Sequence, residues 1–127
     1  MMSSNIKKVT QVPSRPLSIA IKEAAKSTSL YRLGAVIFDK DKIIARGRNH
    51  SSPMSMTTYG CRQLHAEMDV LRKCISRGHS VLVVRIGKRG NLAISKPCNR
   101  CHEIIRICGV KSIYYIDYNN CFYKETL

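Results

Sequence analysis

Two short segments restrict this chain more than anything else in it: His65-Ala66-Glu67, and further along Pro97-Cys98-Asn99-Arg100-Cys101. Each falls where the surrounding residues predict the start of a helix. A Cys-x-x-Cys pair at the head of a helix brings two sulfurs to one side. The positive end of that helix lowers thiol pKa values and favours the thiolate form that metals bind. His65 offers the neutral imidazole nitrogen that zinc also accepts, with Glu67 following in the same first turn. A fold that uses both segments must set two helix starts side by side. A structural zinc takes four protein ligands; a catalytic one typically takes three and leaves a place to water, whose pKa it can lower to about 7. His65, Cys98 and Cys101 make three ligands for one catalytic Zn2+. Glu67 then stands as general base and general acid. A competing reading adds Cys61, four residues before His65, to close a structural site, and leaves Glu67 without a role.

The rest of the chain supplies the scaffold. Its 127 residues, 44% hydrophobic, suit a single domain over residues 13–127, preceded by a basic flexible tail over residues 1–12 that Pro13 and Pro16 close. Helical spacing of Leu17, Ile21, Ala24, Ala25 and Thr28 predicts a helix over residues 18–29. Residues 33–38 and 43–46 read as a hairpin about the polar turn Asp39-Lys40-Asp41-Lys42. A long turn-rich stretch follows to Gln63, and a loop of that length in a small domain usually has a function. A second helix is predicted over residues 64–77, a β-branched strand over 80–86, and a third helix after Pro97 that ends at Gly109. Strands over residues 111–117 and 122–124 complete the chain, turning at Asn119-Asn120. This order predicts a mixed sheet with helices on its faces.

Composition bounds the function. No apolar run approaches the roughly 20 residues of a membrane span, and residues 1–10 lack the apolar block of a secretion signal, so a cytoplasmic protein is expected. Six cysteines would allow three disulfides in an oxidising compartment, but two of them have metal spacing, and Cys74 and Cys108 read as small buried thiols on apolar stripes. Twenty-two Lys plus Arg against eight Asp plus Glu leave a net charge of +14, which favours phosphate-bearing partners. Arg46, Arg48, Arg62, Lys88, Arg89, Lys96 and Arg100 fall near the loops expected to frame a pocket. Tyr59, in the long loop, is the better candidate for stacking on a base, while Tyr114 and Tyr115 alternate as strand packing residues.

His-x-Glu followed by Pro-Cys-x-x-Cys, both on helix starts, resembles the signature of the cytidine and deoxycytidylate deaminase superfamily of zinc-dependent nucleobase deaminases. The resemblance runs from the first helix to the last strand. It implies a three-layer α/β/α fold, with a five-stranded mixed sheet and helices on both faces. It assigns His65, Cys98 and Cys101 to zinc and Glu67 to proton transfer. It places the backbone near Ala66 and Cys98 around the attacking water and base, and matches Asn49 to an asparagine that contacts the sugar. Many members carry Glu or Ser before the Pro; Lys96 stands there instead, beside Arg100, and is expected either to meet a phosphate of the substrate or to be solvated. A histidine ligand fits the nucleotide, tRNA and polynucleotide branches. The short link between the last two strands predicts the antiparallel hairpin of the nucleoside branch.

The expected activity is therefore hydrolysis of cytosine to uracil in a nucleoside, nucleotide or single-stranded nucleic acid. A tRNA adenosine deaminase and a non-catalytic zinc-stabilised nucleic-acid-binding module are the alternatives. A homo-oligomer is expected by the same resemblance.

Overall fold

A computed structural model describes residues 5–51, 63–73, 77–117 and 120–127. Tyr59, Cys61, Arg62 and Cys74 lie outside them. The strands are β1 (Ile6–Val9), β2 (Arg32–Asp39), β3 (Lys42–Arg48), β4 (His50–Ser51), β5 (Gln63–Leu64), β6 (Ser80–Ile86), β7 (Leu92–Ala93), β8 (Ser112–Ile116) and β9 (Phe122–Thr126). The helices are α1 (Ser14–Lys26), α2 (Ala66–Leu71) and α3 (Asn99–Ile107).

The two-residue period of the central strands sets the layers. Ala35 and Ile37 of β2 and Val81 and Val83 of β6 turn to one face, where they pack with Ala66, Val70 and Leu71 of α2 and Ile105 of α3. Val36, Phe38, Leu82 and Val84 turn to the other and pack with Ala20 and Ala24 of α1. Buried on both faces, these strands read as continuous apolar runs. The result is the expected three-layer α/β/α arrangement. Gly34 lets α1 lie against β2: a Cβ there would collide with the backbone of Ala20 and Ala24.

The main sheet has seven strands in the order β1-β9-β8-β6-β2-β3, with β7 paired to β6. Only β6 and β8 run parallel; the other pairs, including the final β8–β9 hairpin, are antiparallel. The five expected strands are present, and two more extend the sheet. One is β7, a short return from the Gly87–Gly90 turn onto Arg85 and Ile86. The other comes from the expected tail: Ile6 to Val9 pair with Phe122 to Glu125. The free edge of β9 offers backbone groups that an extended segment can satisfy, and this stretch answers them although its side chains are mostly exposed.

Other boundaries moved for tertiary reasons. α1 starts at Ser14 rather than Ser18, since Pro16 is tolerated in a first turn, and it ends at Lys26. Ser27 is drawn into extended backbone, where its Oγ donates to Asn49 Oδ1 at 2.7 Å. Leu64, expected to open a helix, instead pairs with His50 in a two-stranded sheet of β4 and β5. Cys108, expected to be buried, is exposed at the end of α3. Tyr115 is fully buried as expected, and Tyr114 packs against Phe38 with ring centroids 5.8 Å apart. No helix among the described residues is long and apolar enough to cross a membrane.

Candidate active site

The two segments that open the sequence argument meet. His65 caps α2 and Cys98 caps α3, both in extended backbone. The Cys98 Sγ accepts from the Cys101 amide at 3.5 Å, which folds the Cys-x-x-Cys pair around the start of α3. His65 Nδ1 lies 3.2 Å from Cys101 Sγ and 3.8 Å from Cys98 Sγ. All three donor atoms fall within 4.8 Å of one another.

The parallel pairing of β6 and β8 makes this meeting possible. It extends only from Ser80–Ser112 to Leu82–Tyr114. Beyond that point Ser95 fills the gap: its Oγ donates to Val83 O at 2.7 Å and accepts from the Ile116 amide at 2.9 Å. The stretch from Lys96 to Cys98 is thereby anchored between two strands. On the other side, Asp69 ties α2 to β3 and β4. Its carboxylate accepts from the Arg48 amide at 3.1 Å and from Arg72 at 2.7 Å, with His50 at 3.3 Å and Lys73 at 3.2 Å. Burial alone would raise its pKa, but the hydrogen bonds from Arg72, Arg48, His50 and Lys73 outweigh burial and hold it at about 2. Gly47 admits this carboxylate, because a Cβ there would lie 2.6 Å from Asp69 Oδ2. Neither Ser95 nor Asp69 belongs to any sequence pattern that marks it; both act by closing a junction between elements.

A pocket of about 230 Å³ opens at this junction. His65, Ala66, Glu67, Cys98, Lys96 and Asn49 line it, together with Tyr31 and Leu33 from the start of β2. Glu67 is 3% exposed, and its Oε1 has no hydrogen-bond partner among the described residues. Burial pushes its carboxyl up to about 7, against a smaller opposing backbone hydrogen bond. Burial and then the charge of Arg100 lower the His65 pKa, which keeps the imidazole neutral and able to ligate. Burial, with the charges of Glu67 and Cys98, pushes the Cys101 thiol up. The His65 nitrogen and the Cys98 and Cys101 sulfurs cluster within 4.8 Å of one another, and Glu67 lines the pocket beside His65 and Cys98. That donor set fits a zinc ion, which would favour the thiolates and the carboxylate together.

Not every expected residue faces the pocket as expected. Asn49 lines it as expected and also braces its rim: Oδ1 accepts from Ser27 Oγ and from the Leu33 amide at 2.9 Å, and Nδ2 donates to Tyr31 O at 2.6 Å. Arg46 and Arg48 turn instead toward Glu23 of α1, at 2.7 and 3.5 Å. Lys96 reaches the wall, with its Nζ 3.7 Å from Asp117. Tyr31 was one of several tyrosines in the sequence; only the pairing of β2 with β6 brings it to the rim.

The α/β/α sandwich thus carries three zinc-type donors and a buried carboxylate at two adjoining helix starts, a candidate metal site. A family model described as the cytidine and deoxycytidylate deaminase zinc-binding region matches residues 11–117, and the chain belongs to that family. Its members are zinc-dependent deaminases, so zinc is the cofactor here. Among solved structures, cytidine deaminase from Burkholderia pseudomallei is similar with a TM-score of 0.67 and 16% identity, over 91% of this chain and 93% of that one. Cytidine deaminase from Mycobacterium tuberculosis gives 0.54 and 23%, over 80% of each chain. The dCMP deaminase of cyanophage S-TIM5 gives 0.54 and 21%, over 84% and 85%. At these identities the likeness bears on the fold. No protein of curated function is significantly similar in sequence.

Proposed function

We propose that this chain hydrolyses the exocyclic amine of cytosine, with His65, Cys98 and Cys101 holding one zinc and Glu67 moving the proton. The observation that carries the reading is the buried Glu67 Oε1, unpartnered among the described residues and lining the same pocket as His65 and Cys98. When bound, zinc supplies a Lewis acid that makes water a nucleophile at neutral pH.

The chain's own groups do the rest. Ala66 lines the pocket between His65 and Glu67. Glu67 takes a proton from the attacking water and delivers it to the ring nitrogen N3. The water oxygen bonds to C4, the C4–N4 bond breaks, and Glu67 passes the second proton to the leaving amine. Uracil and ammonia result. Burial raises the Glu67 carboxyl in the zinc-free site, and bound zinc would favour its ionised form, the form that accepts the proton of the attacking water. Asn49 lines the pocket and braces Tyr31 and Leu33 at its rim, and its amide is the candidate contact to the sugar. Lys96 supplies a cation for an anionic group on the substrate.

Ammonia release from cytidine, dCMP, a cytosine-containing oligonucleotide and a tRNA anticodon stem-loop tests this. Turnover of cytosine is expected, and Glu67→Gln should lose about 10²–10⁴ in kcat while retaining zinc by metal analysis. Wild-type activity in that variant removes Glu67 from the mechanism. Ammonia from the stem-loop alone transfers the reading to adenine, and none from any substrate leaves a zinc-stabilised binding module.

A further inference from the structure

A second pocket adjoins the first. Its volume is about 240 Å³ against about 230 Å³, and the two share Tyr31 as a common wall. Leu30, Arg85, Ile86, Gly87 and Lys88 complete it. The antiparallel register of β2 and β6 sets Leu33 opposite Arg85 and Arg32 opposite Ile86, so both pockets open at the same end of the sheet.

This second pocket is braced. Arg32 Nη2 donates to Gly87 O at 3.2 Å, and Asn49 holds the Tyr31 carbonyl. Its surface is also unlike an ordinary solvated face. Leu30 is 77% and Tyr31 58% exposed, large apolar groups left at a rim. The Arg85 guanidinium sits 5.4 Å from the centroid of the Tyr31 ring, a cation stacked beside an aromatic face. The ion pairs among the described residues involve neither Arg85 nor Lys88.

Aromatic and apolar walls bearing cations that stand outside the ion pairs of the described residues suit a base and its phosphate together. A free nucleoside or mononucleotide is satisfied by the first pocket, with Glu67 at the base and Lys96 on the wall. A phosphate alone would use the two cations but not Leu30, Tyr31 and Ile86. We propose that the second pocket receives the nucleotide adjacent to the target cytosine in a single-stranded nucleic acid. The base lies against Tyr31, and the intervening phosphate is met by Arg85 and Lys88. This rests on the cytosine reading of the first pocket and narrows its substrate class. The net charge of +14 agrees with a polyanionic strand.

The test compares zinc-loaded wild type with Arg85→Gln/Lys88→Gln on cytidine and on short single-stranded oligonucleotides with one internal cytosine. Wild type should favour the oligonucleotide, and the double variant should lose about tenfold in its kcat/KM, mainly through KM. Turnover of cytidine should stay within about twofold. An equal loss on both substrates, or no loss on the oligonucleotide, overturns the proposal.

Fluorescence anisotropy with the same oligonucleotide, titrated with salt, gives a readout independent of turnover. Neutralising one phosphate of a single strand contributes about 0.7 to the salt slope, so the double variant, which loses both cations at the intervening phosphate, should lose about 0.7. An unchanged slope overturns the subsite even if cytosine is deaminated. If wild type deaminates no cytosine while the slope falls as expected, the strand-binding pocket stands and the cytosine reading falls.

Discussion

Two buried carboxylates serve this molecule in opposite ways. Glu67, unpartnered at Oε1 among the described residues, is raised to about 7 by burial and lines the pocket as the proposed proton carrier. Glu23 of α1 is equally buried at 3% exposure but fully engaged, with Arg46 at 2.7 Å, Lys26 at 3.2 Å and Arg48 at 3.5 Å. Burial would raise its pKa, yet the hydrogen bonds from Arg46 and Lys26 bring it below the ordinary 4.5. A depressed folded-state pKa means that the ionised form is favoured by folding. The stabilisation is therefore complete above pH 4.5 and is lost as pH falls through the lower folded value. Glu23→Gln should flatten the melting temperature profile in that acid range and cost about 1.5–3 kcal/mol at neutral pH. Thermal melts of both proteins from pH 7 to pH 3 measure this. A profile with the same acid limb in the variant would show that Glu23 is not the group responsible.

Between elements, the decisive device is Ser95 in the gap where β6 and β8 part. Ser95→Ala leaves the Val83 carbonyl and the Ile116 amide unpaired in the interior, at about 1–3 kcal/mol. The larger consequence is local, because the next residues run directly to Pro97 and Cys98. Zinc affinity in a competition with a chromogenic chelator should fall about 10–100-fold, as it does when groups that orient metal ligands are removed. Thermal stability lost with no change in zinc affinity would make Ser95 a purely structural residue. The helix starts themselves were readable from the chain, since Pro97 and the Cys-x-x-Cys spacing mark one and His65-Ala66-Glu67 the other. Ser95 carries no such mark. Its role comes from a divergence between two strands that no local pattern encodes.

For the whole molecule, zinc held by His65, Cys98 and Cys101 would join the two helix starts on one face of the sheet and couple folding to metal binding. Zinc in excess by about 100 times its dissociation constant should add about 2.7 kcal/mol to the zinc-free protein. Chelation should lower the melting temperature, and restoring zinc should recover it. Cys101 makes this coupling pH-dependent, since the ion must displace the proton from a thiol that burial holds on. A melting temperature indifferent to chelator would contradict a site that bridges α2 and α3.

Read alone, the chain determined the parts whose causes are local or periodic. The apolar, β-branched runs over residues 33–38 and 80–86 specified strands, and the spacing of His65, Glu67, Cys98 and Cys101 marked two helix starts bearing candidate ligands. Tertiary structure decided what depends on partners distant in sequence. Residues 6–9 became a strand because β9 had an edge to satisfy. Asn49 became a brace because Ser27, Tyr31 and Leu33 surround it. Tyr31 became the wall between two pockets because β2 lies antiparallel to β6. Periodicity records which side of an element is buried, but not which distant group it will meet there.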